Sequence, residues 1–194
     1  MGDFNGIGPE IALKCVTLSA VGNICMPILV GSIEVFERVA RNLSKRIALR
    51  EIDPKSLTDK RWTLENGRGD IGIIPIRPFE IPKITFGKNT NTAGRYAGEA
   101  IQIAAGLCKA GSAGAMVTAP VSKTAMYGAG FRHLGQTEML AKICGSKKHL
   151  MILVTDKLRV ALATVHRPLR FVYSSITRKL LDRKSTRLNS SHRL

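Results

Sequence analysis

Two loops in the first two-thirds of the sequence have residue types that could hold an anion. The first, GDFNGIGPE at residues 2–10, places glycines before a helix that Pro9 can open. Backbone N–H groups can approach an anion closely there, and the helix dipole favours negative charge. The loop lacks the last glycine of a dinucleotide fingerprint and the Gly-Lys-Ser/Thr of a P-loop. A tight turn without a ligand is the alternative. The second, TAPVSK at residues 118–123, ends in Lys123, whose ammonium group could face a phosphate or carboxylate, although a lysine exposed on a turn is commoner.

A third stretch, GQTEML at residues 135–140, has the composition of a helix start. Gly135 permits a sharp turn, and Thr137 is predicted to cap the helix. Gln136 and Thr137 would then present an amide and a hydroxyl to whatever lies before that helix. A plain helix cap with no ligand is the alternative.

His166 is the candidate metal ligand, at the end of the apolar stretch VALATV. A neutral imidazole in that place could bind a divalent ion. One histidine does not make a metal site, and neither His133 nor His149 stands at a ligand spacing from it. A hydrogen-bonded loop histidine is the alternative.

The elements that must position these residues alternate between strand and helix, which predicts an α/β fold with a mixed sheet. Buried strands are expected at 26–30, 71–76 and 115–118, and helices after Pro9 and at 33–43, 92–110 and 137–144. Two apolar runs around Asp156-Lys157, at 150–155 and 158–165, predict a β-hairpin. Ligands of such folds bind beyond the carboxyl ends of the strands, where the loops at 2–10, 119–123 and His166 are expected.

The composition is that of an ordinary folded chain. It has 194 residues, of which 44% are hydrophobic and 23% charged, enough to bury a core without disulfides. Its apolar runs fall far short of the ~18 residues that a membrane span needs. The four cysteines are far apart and suit reduced thiols, so we expect a cytoplasmic location.

The net charge of +16 would ordinarily suggest a polyanionic partner. Aromatic residues make up only 5% of the chain and do not alternate with the basic ones, as stacking platforms for nucleic acid require. We therefore expect no specific nucleic-acid partner. A basic phosphate-binding or nucleic-acid-binding module is the alternative from a different class of function.

The last residues, 182–194, differ abruptly in composition from the rest. They read DRKSTRLNSSHRL, rich in arginine and serine, and resemble the in-frame translation of a sequencing adapter. We predict that this segment is not native, with a natural disordered basic tail as the alternative.

Together, the motifs GDFNGIGPEI, AMVTAPVSK, GQTEML and LRVALATVHRPL resemble the PdxA family of 4-hydroxythreonine-4-phosphate dehydrogenases, over residues 2–181. The resemblance implies a homodimer with the two-lobed α/β fold of isocitrate and isopropylmalate dehydrogenases. It assigns 1–122 to the first lobe and 123–181, with the hairpin, to the start of the second. It also implies truncation at both ends: we expect the strand before Gly2 and the half beyond Leu181 to be missing, and this chain alone to be inactive.

The implied reaction belongs to pyridoxal phosphate (vitamin B6) biosynthesis. NAD or NADP oxidises 4-phosphohydroxy-L-threonine to a 3-keto acid, which decarboxylates to 3-amino-2-oxopropyl phosphate, with a divalent metal (Zn, Mg or Co). His166 matches a metal-binding histidine, Thr137 matches a substrate-binding threonine, and Gln136 stands where many members have a substrate-binding histidine. Lys123 matches the lysine of a T-x-P-x-x-K loop, and a catalytic role for it is left open. No residue is assigned to the nicotinamide cofactor. A family member acting on threonate or erythronate 4-phosphate is the alternative.

Overall fold

The structure is a computed structural model that describes residues 1–43, 47–58, 71–77, 83–133, 135–146, 149–165 and 167–190, with only the backbone for 187–190. The contacts within the chain divide it into two compact units, Met1–Gly145 and Ser146–Leu194. The three loops 2–10, 118–123 and 135–140 all belong to the first unit.

The helices and strands of the first unit follow the predicted alternation. The helices are α1 (Gly8–Val16), α2 (Ser19–Gly22), α3 (Ile33–Asn42), α4 (Asn91–Lys109), α5 (Lys123–Gly128) and α6 (Gln136–Ile143). The strands are β1 (Ile28–Gly31), β2 (Leu49–Glu51) and β3 (Ile71–Pro75), and a 3₁₀ turn covers Pro54–Thr58. The predicted strands at 26–30 and 71–76 and the helices at 33–43, 92–110 and 137–144 are thereby confirmed to within two residues.

The three strands form one parallel sheet in the order β1-β3-β2. Ile28 lies opposite Gly72, and Leu49 lies opposite Ile71. Ile73 in the central strand is fully buried, as expected where a parallel sheet is covered on both faces. The α/β class is confirmed. No mixed sheet occurs among the described strands, because the only antiparallel pairing there belongs to a separate hairpin.

Local capping explains where several helices begin. Pro9 lies in the first turn of α1, where its missing N–H costs no hydrogen bond. Three hydroxyl side chains cap other helices of the first unit. Ser32 accepts from Val35 N at the start of α3. Thr90 accepts from Ala93 N at the start of α4, and Ser122 accepts from Ala125 N at the start of α5. These caps fix the points at which the chain leaves each loop.

The predicted strand at 115–118 is wrong. These residues pair with no described strand, and Val117 is 96% exposed. A short run of mainly apolar residues becomes a strand only if a neighbouring strand offers hydrogen-bonding groups, and no described strand pairs with this one. The segment is instead an irregular loop that leads to Pro120.

Helix α4 connects the two hydrophobic clusters of the first unit. Ala93, Tyr96 and Ala100 belong to the cluster that covers the parallel sheet. Ala97 and Ile101 belong to a second cluster, in which α4 meets Met126 of α5 and Met139 of α6. The starts of α5 and α6 are thus held against the same long helix.

The second unit contains the predicted hairpin, with shorter strands than expected. β4 (Ile152–Val154) and β5 (Arg159–Ala161) are antiparallel, and Thr155 N donates to the Leu158 carbonyl across the turn at 2.8 Å. After Pro168 come a 3₁₀ turn (Leu169–Phe171), α7 (Val172–Ser175) and α8 (Arg178–Ser190). Helix α8 runs on past Asp182, and the adapter origin of residues 182–194 stays a prediction. None of the helices in the described part of the chain has the length and apolar character needed to cross a bilayer.

Candidate functional site

The glycine loop at residues 2–10 packs directly against the loop at 118–123. Asp3 N donates to the Pro120 carbonyl at 3.0 Å. Gly2 has φ +76°, and a Cβ added to it would lie 2.5 Å from the Pro120 carbonyl oxygen. A side chain at Gly2 would therefore force the two loops apart, which explains a glycine at this position.

Gln136 joins the start of α6 to the same loop. Its Nε2 donates to the Ala119 carbonyl at 3.2 Å, and the residue is half-buried. Thr137 follows inside the first turn of α6. The predicted threonine cap is wrong: the N-cap residue is Gly135, whose extended backbone begins the helix without a side-chain cap. Thr137 is therefore not occupied with capping.

Lys123 is the first residue of α5, and its side chain extends toward α6. A Cβ added to Gly135 would lie 3.8 Å from both Cε and Nζ of Lys123, and 3.0 Å from Oε2 of Glu138. Lys123 is exposed. The helix dipole disfavours a positive lysine at a helix N-terminus. It would favour an anion bound by the lysine and the helix N-terminus together. The structure thus brings Lys123, Gln136 and Thr137 into one neighbourhood.

Asp3 and Asn5 are buried polar residues that the sequence did not single out. Asp3 is 9% exposed, and its Oδ1 accepts from Asn5 N at 2.8 Å. The Asn5 side chain bonds to residues 80 and more positions later in the chain, beginning with Thr85 N at 2.7 Å from Asn5 Oδ1. The one signal in the sequence was a polar pair inside a glycine-rich loop, and it did not reveal the partners.

Two groups beside the glycine loop have shifted pKa values. Burial lowers the pKa of the Met1 amino group to about 6, although that group donates to the Val30 carbonyl at 2.8 Å. Burial, and then the negative charges of Glu34 and Glu99, raise the pKa of Tyr96 to about 12. The Tyr96 ring meets Phe4 edge to face, with 5.5 Å between the ring centres. The glycine loop therefore packs, through Phe4, against the Tyr96 side chain, whose hydroxyl stays protonated well above pH 7.

His166, the predicted metal ligand, lies outside the described residues. Among the residues that are described, no three His, Cys, Asp or Glu side chains come together as a metal site. The described residues therefore do not fit a divalent metal by themselves. The metal and the role of His166 stay predictions.

Comparison with known proteins gives relatives of two substrate classes. The chain is 32% identical to the 4-hydroxythreonine-4-phosphate dehydrogenase of Trichlorobacter lovleyi, over 91% of this chain and 51% of that protein. It is 34% identical to the D-threonate 4-phosphate dehydrogenase of Cupriavidus necator, over 86% of this chain and 48% of that protein. The chain thus spans about half the length of these curated relatives.

A solved structure has the same fold. The crystal structure of a 4-hydroxythreonine-4-phosphate dehydrogenase from Burkholderia phymatum superimposes with a TM-score of 0.84 at 30% identity, covering 98% of this chain and 56% of that one. The family model described as pyridoxal phosphate biosynthetic protein PdxA matches residues 23–194. The chain therefore belongs to the PdxA family.

Proposed function

We propose that this chain supplies substrate-binding residues to an NAD- or NADP-dependent dehydrogenase that oxidises 4-phosphohydroxy-L-threonine. The observation that carries the proposal is the hydrogen bond from Gln136 to Ala119, which joins the start of α6 to the loop that also contacts Gly2 and Asp3. Three stretches that resemble the family's motifs are thereby brought together in one unit. The same proposal includes the homodimer and the two-lobed fold, with its lobes at residues 1–122 and 123–181.

The reaction removes a hydride from C3 of the substrate and a proton from the C3 hydroxyl. The hydride passes to NAD⁺ or NADP⁺, and the product is a 3-keto acid. Its bond between C2 and the carboxylate then breaks, CO₂ leaves, and protonation of C2 gives 3-amino-2-oxopropyl phosphate.

The chain's own residues bind and orient this substrate. Lys123 carries a point charge suited to a phosphate or carboxylate. The Thr137 hydroxyl can both donate and accept, and Gln136 keeps its amide oxygen and one N–H free of the Ala119 carbonyl. Fixed polar groups of this kind hold a substrate in a reactive orientation, which contributes to rate without taking part in bond changes.

D-threonate 4-phosphate is the second candidate substrate, favoured by the relative from Cupriavidus necator. It differs from 4-phosphohydroxythreonine at C2, where a hydroxyl replaces an ammonium group. Either group can donate to the Gln136 amide oxygen, so this residue accommodates both. Erythronate 4-phosphate falls in the same class. The alternative of a basic nucleic-acid-binding module loses its support, because the named relatives are dehydrogenases.

The test is a comparison of substrates with the protein expressed from the genomic reading frame that contains this sequence. Formation of NADH or NADPH is followed with 4-phosphohydroxythreonine, D-threonate 4-phosphate and unphosphorylated hydroxythreonine, with divalent metals added. We expect turnover of at least one phosphorylated substrate and little of the unphosphorylated one. Absence of turnover with every phosphorylated hydroxy acid would overturn the proposal. The 194-residue chain alone is expected to form no NADH.

A further inference from the structure

Both polar atoms of the Asn5 side chain form hydrogen bonds with residues 85–90, far along the chain. Its Oδ1 accepts from Thr85 N at 2.7 Å, and its Nδ2 donates to the Lys88 carbonyl at 2.9 Å and to Thr90 Oγ1 at 3.1 Å. Its backbone carbonyl accepts from Gly87 N at 2.9 Å. With 2% of its surface exposed, Asn5 is more deeply buried than most asparagines. It therefore fixes the path of residues 85–90 against the glycine loop.

The same segment holds the start of α5. Ser122 Oγ donates to Asn89 Oδ1 at 2.6 Å and accepts from Ala125 N at 3.2 Å, so one hydroxyl both caps the helix and ties it to residues 85–90. Lys123 follows Ser122 directly. The hydrogen bond to Asn89 thus restrains the residue from which Lys123 continues into α5.

These contacts close into a ring. From Ser122 the chain leads back to Pro120, whose carbonyl accepts from Asp3 N at 3.0 Å. Asp3 Oδ1 in turn accepts from Asn5 N at 2.8 Å. The hydrogen bonds and the backbone between them therefore restrain one another, and we expect the loss of a bond at one point to weaken the others.

We infer that Asn5 is a positioning residue for the candidate site, which holds Lys123 in place through Asn89 and Ser122. None of its hydrogen bonds in the described part of the chain goes to Lys123 or Gln136, and its effect passes through the ring. The ligand of Lys123 rests on the proposed function. The inference that Asn5 positions Lys123 is independent of that function, because it is argued from the hydrogen bonds alone.

Hydrogen exchange on the 194-residue chain tests the placing of Lys123 without any substrate. The probe is the Ala125 amide in α5, measured relative to the Ile52 amide, which bonds to the Ile73 carbonyl in the sheet. In Asn5→Ala and in Asn89→Ala we expect Ala125 to exchange about three- to tenfold faster. The two changes together should add little, because either one opens the same ring. Asn42→Ala, an exposed asparagine at the end of α3, is the matched control and should change nothing.

An Ala125 amide that exchanges at the wild-type relative rate in Asn89→Ala would overturn the inference. Asn89 is exposed, so this variant keeps the test decisive even if Asn5→Ala fails to fold. Additive effects in the double variant would also contradict a ring.

Kinetics separate positioning from a merely structural role. In the protein expressed from the genomic reading frame, both variants should raise KM for the preferred phosphorylated substrate about three- to tenfold and leave kcat within about twofold. Faster exchange with an unchanged KM would show that the ring does not act on the site, and would overturn the inference. A wild-type protein without turnover would instead count against the proposed function, while the exchange experiment still decides whether Asn5 places Lys123.

Discussion

The Nε2 atom of Gln136 lies 3.2 Å from the backbone carbonyl oxygen of Ala119 and donates a hydrogen bond to it. A carbonyl only accepts, so this contact decides which side of the amide carries the nitrogen. The amide oxygen of Gln136 lies on the other side and accepts no hydrogen bond from the described residues. The Gln136 side chain thereby joins two of the stretches that resemble the PdxA family.

Replacing Gln136 by alanine should lower kcat/KM for the phosphorylated substrate. The loss should correspond to about 1–3 kcal/mol, because a hydrogen bond to a charged substrate group disappears together with the anchor on Ala119. Steady-state kinetics of the genomically encoded protein measure it, with Gln102→Ala, an exposed glutamine on α4, as the matched control. Unchanged kinetics with both candidate substrates would reduce Gln136 to a residue that only stabilises the loop.

Gly2→Ala and Gly87→Ala separate close packing from backbone strain. Both glycines have a positive φ, of 76° and 74°. Among the described residues, a Cβ at Gly87 meets nothing within 4 Å, whereas one at Gly2 meets the Pro120 carbonyl. Gly87→Ala should lower the free energy of unfolding by about 1–2 kcal/mol through strain alone. Gly2→Ala should lower it further, as urea denaturation would measure. Equal losses would show that the contact between the two loops is loose.

Another pair of glycines, Gly94 and Gly106 of α4, tests the packing of α4 against α5. A Cβ at Gly94 would lie 1.9 Å from the Ala125 carbonyl oxygen, while one at Gly106 would meet no atom of the described part of the chain within 4 Å. Gly94→Ala should therefore destabilise the chain by at least about 1–3 kcal/mol, since the backbone of α5 must move. Gly106→Ala should stabilise it by about 0.5–1 kcal/mol through helix propensity. A tolerated Gly94→Ala in thermal and urea unfolding would mean that α4 and α5 are not in contact here.

Tyr96 should keep its proton until the pH reaches about 12, because burial and the charges of Glu34 and Glu99 oppose the phenolate. In the unfolded chain it loses the proton near 10, so the folded state binds more protons between these values. The free energy of unfolding should therefore fall as pH rises from about 10 to about 12, and this part of the fall should vanish in Tyr96→Phe. Tyrosinate absorbance against pH gives the same answer directly. A titration step near pH 10 that is lost in Tyr96→Phe would contradict the burial of this phenol.

Helix boundaries could be predicted from the sequence because they depend on neighbouring residues. Pro9 opens α1, and the apolar stripe of 33–43 forms α3 with Ser32 as its cap. The strand expected at 115–118 failed for the opposite reason. A strand depends on a partner elsewhere in the chain, and apolar residues in a row do not show whether that partner exists.

The sequence singled out Lys123, Gln136 and Thr137 as candidates, and the structure places these three in one neighbourhood. Their roles stay predictions, and the hydrogen bonds around them could not be predicted from the sequence. Asn5 did not stand out, because its partners begin 80 residues later and no local pattern marks them. Thr137 was expected to cap α6, yet Gly135 takes that position, since an extended glycine can begin a helix without a side-chain acceptor.

The most direct test of the proposed function is the identity of the product formed from 4-phosphohydroxythreonine. The genomically encoded protein is incubated with this substrate, divalent metals and either NAD⁺ or NADP⁺. The product, the reduced cofactor and CO₂ are measured together by mass spectrometry and absorbance. The proposed reaction predicts 3-amino-2-oxopropyl phosphate, with reduced cofactor and CO₂ formed in equal amounts. A protein that forms neither NADH nor NADPH from this substrate or from D-threonate 4-phosphate, or that forms a product still carrying the carboxylate carbon from 4-phosphohydroxythreonine, would contradict it.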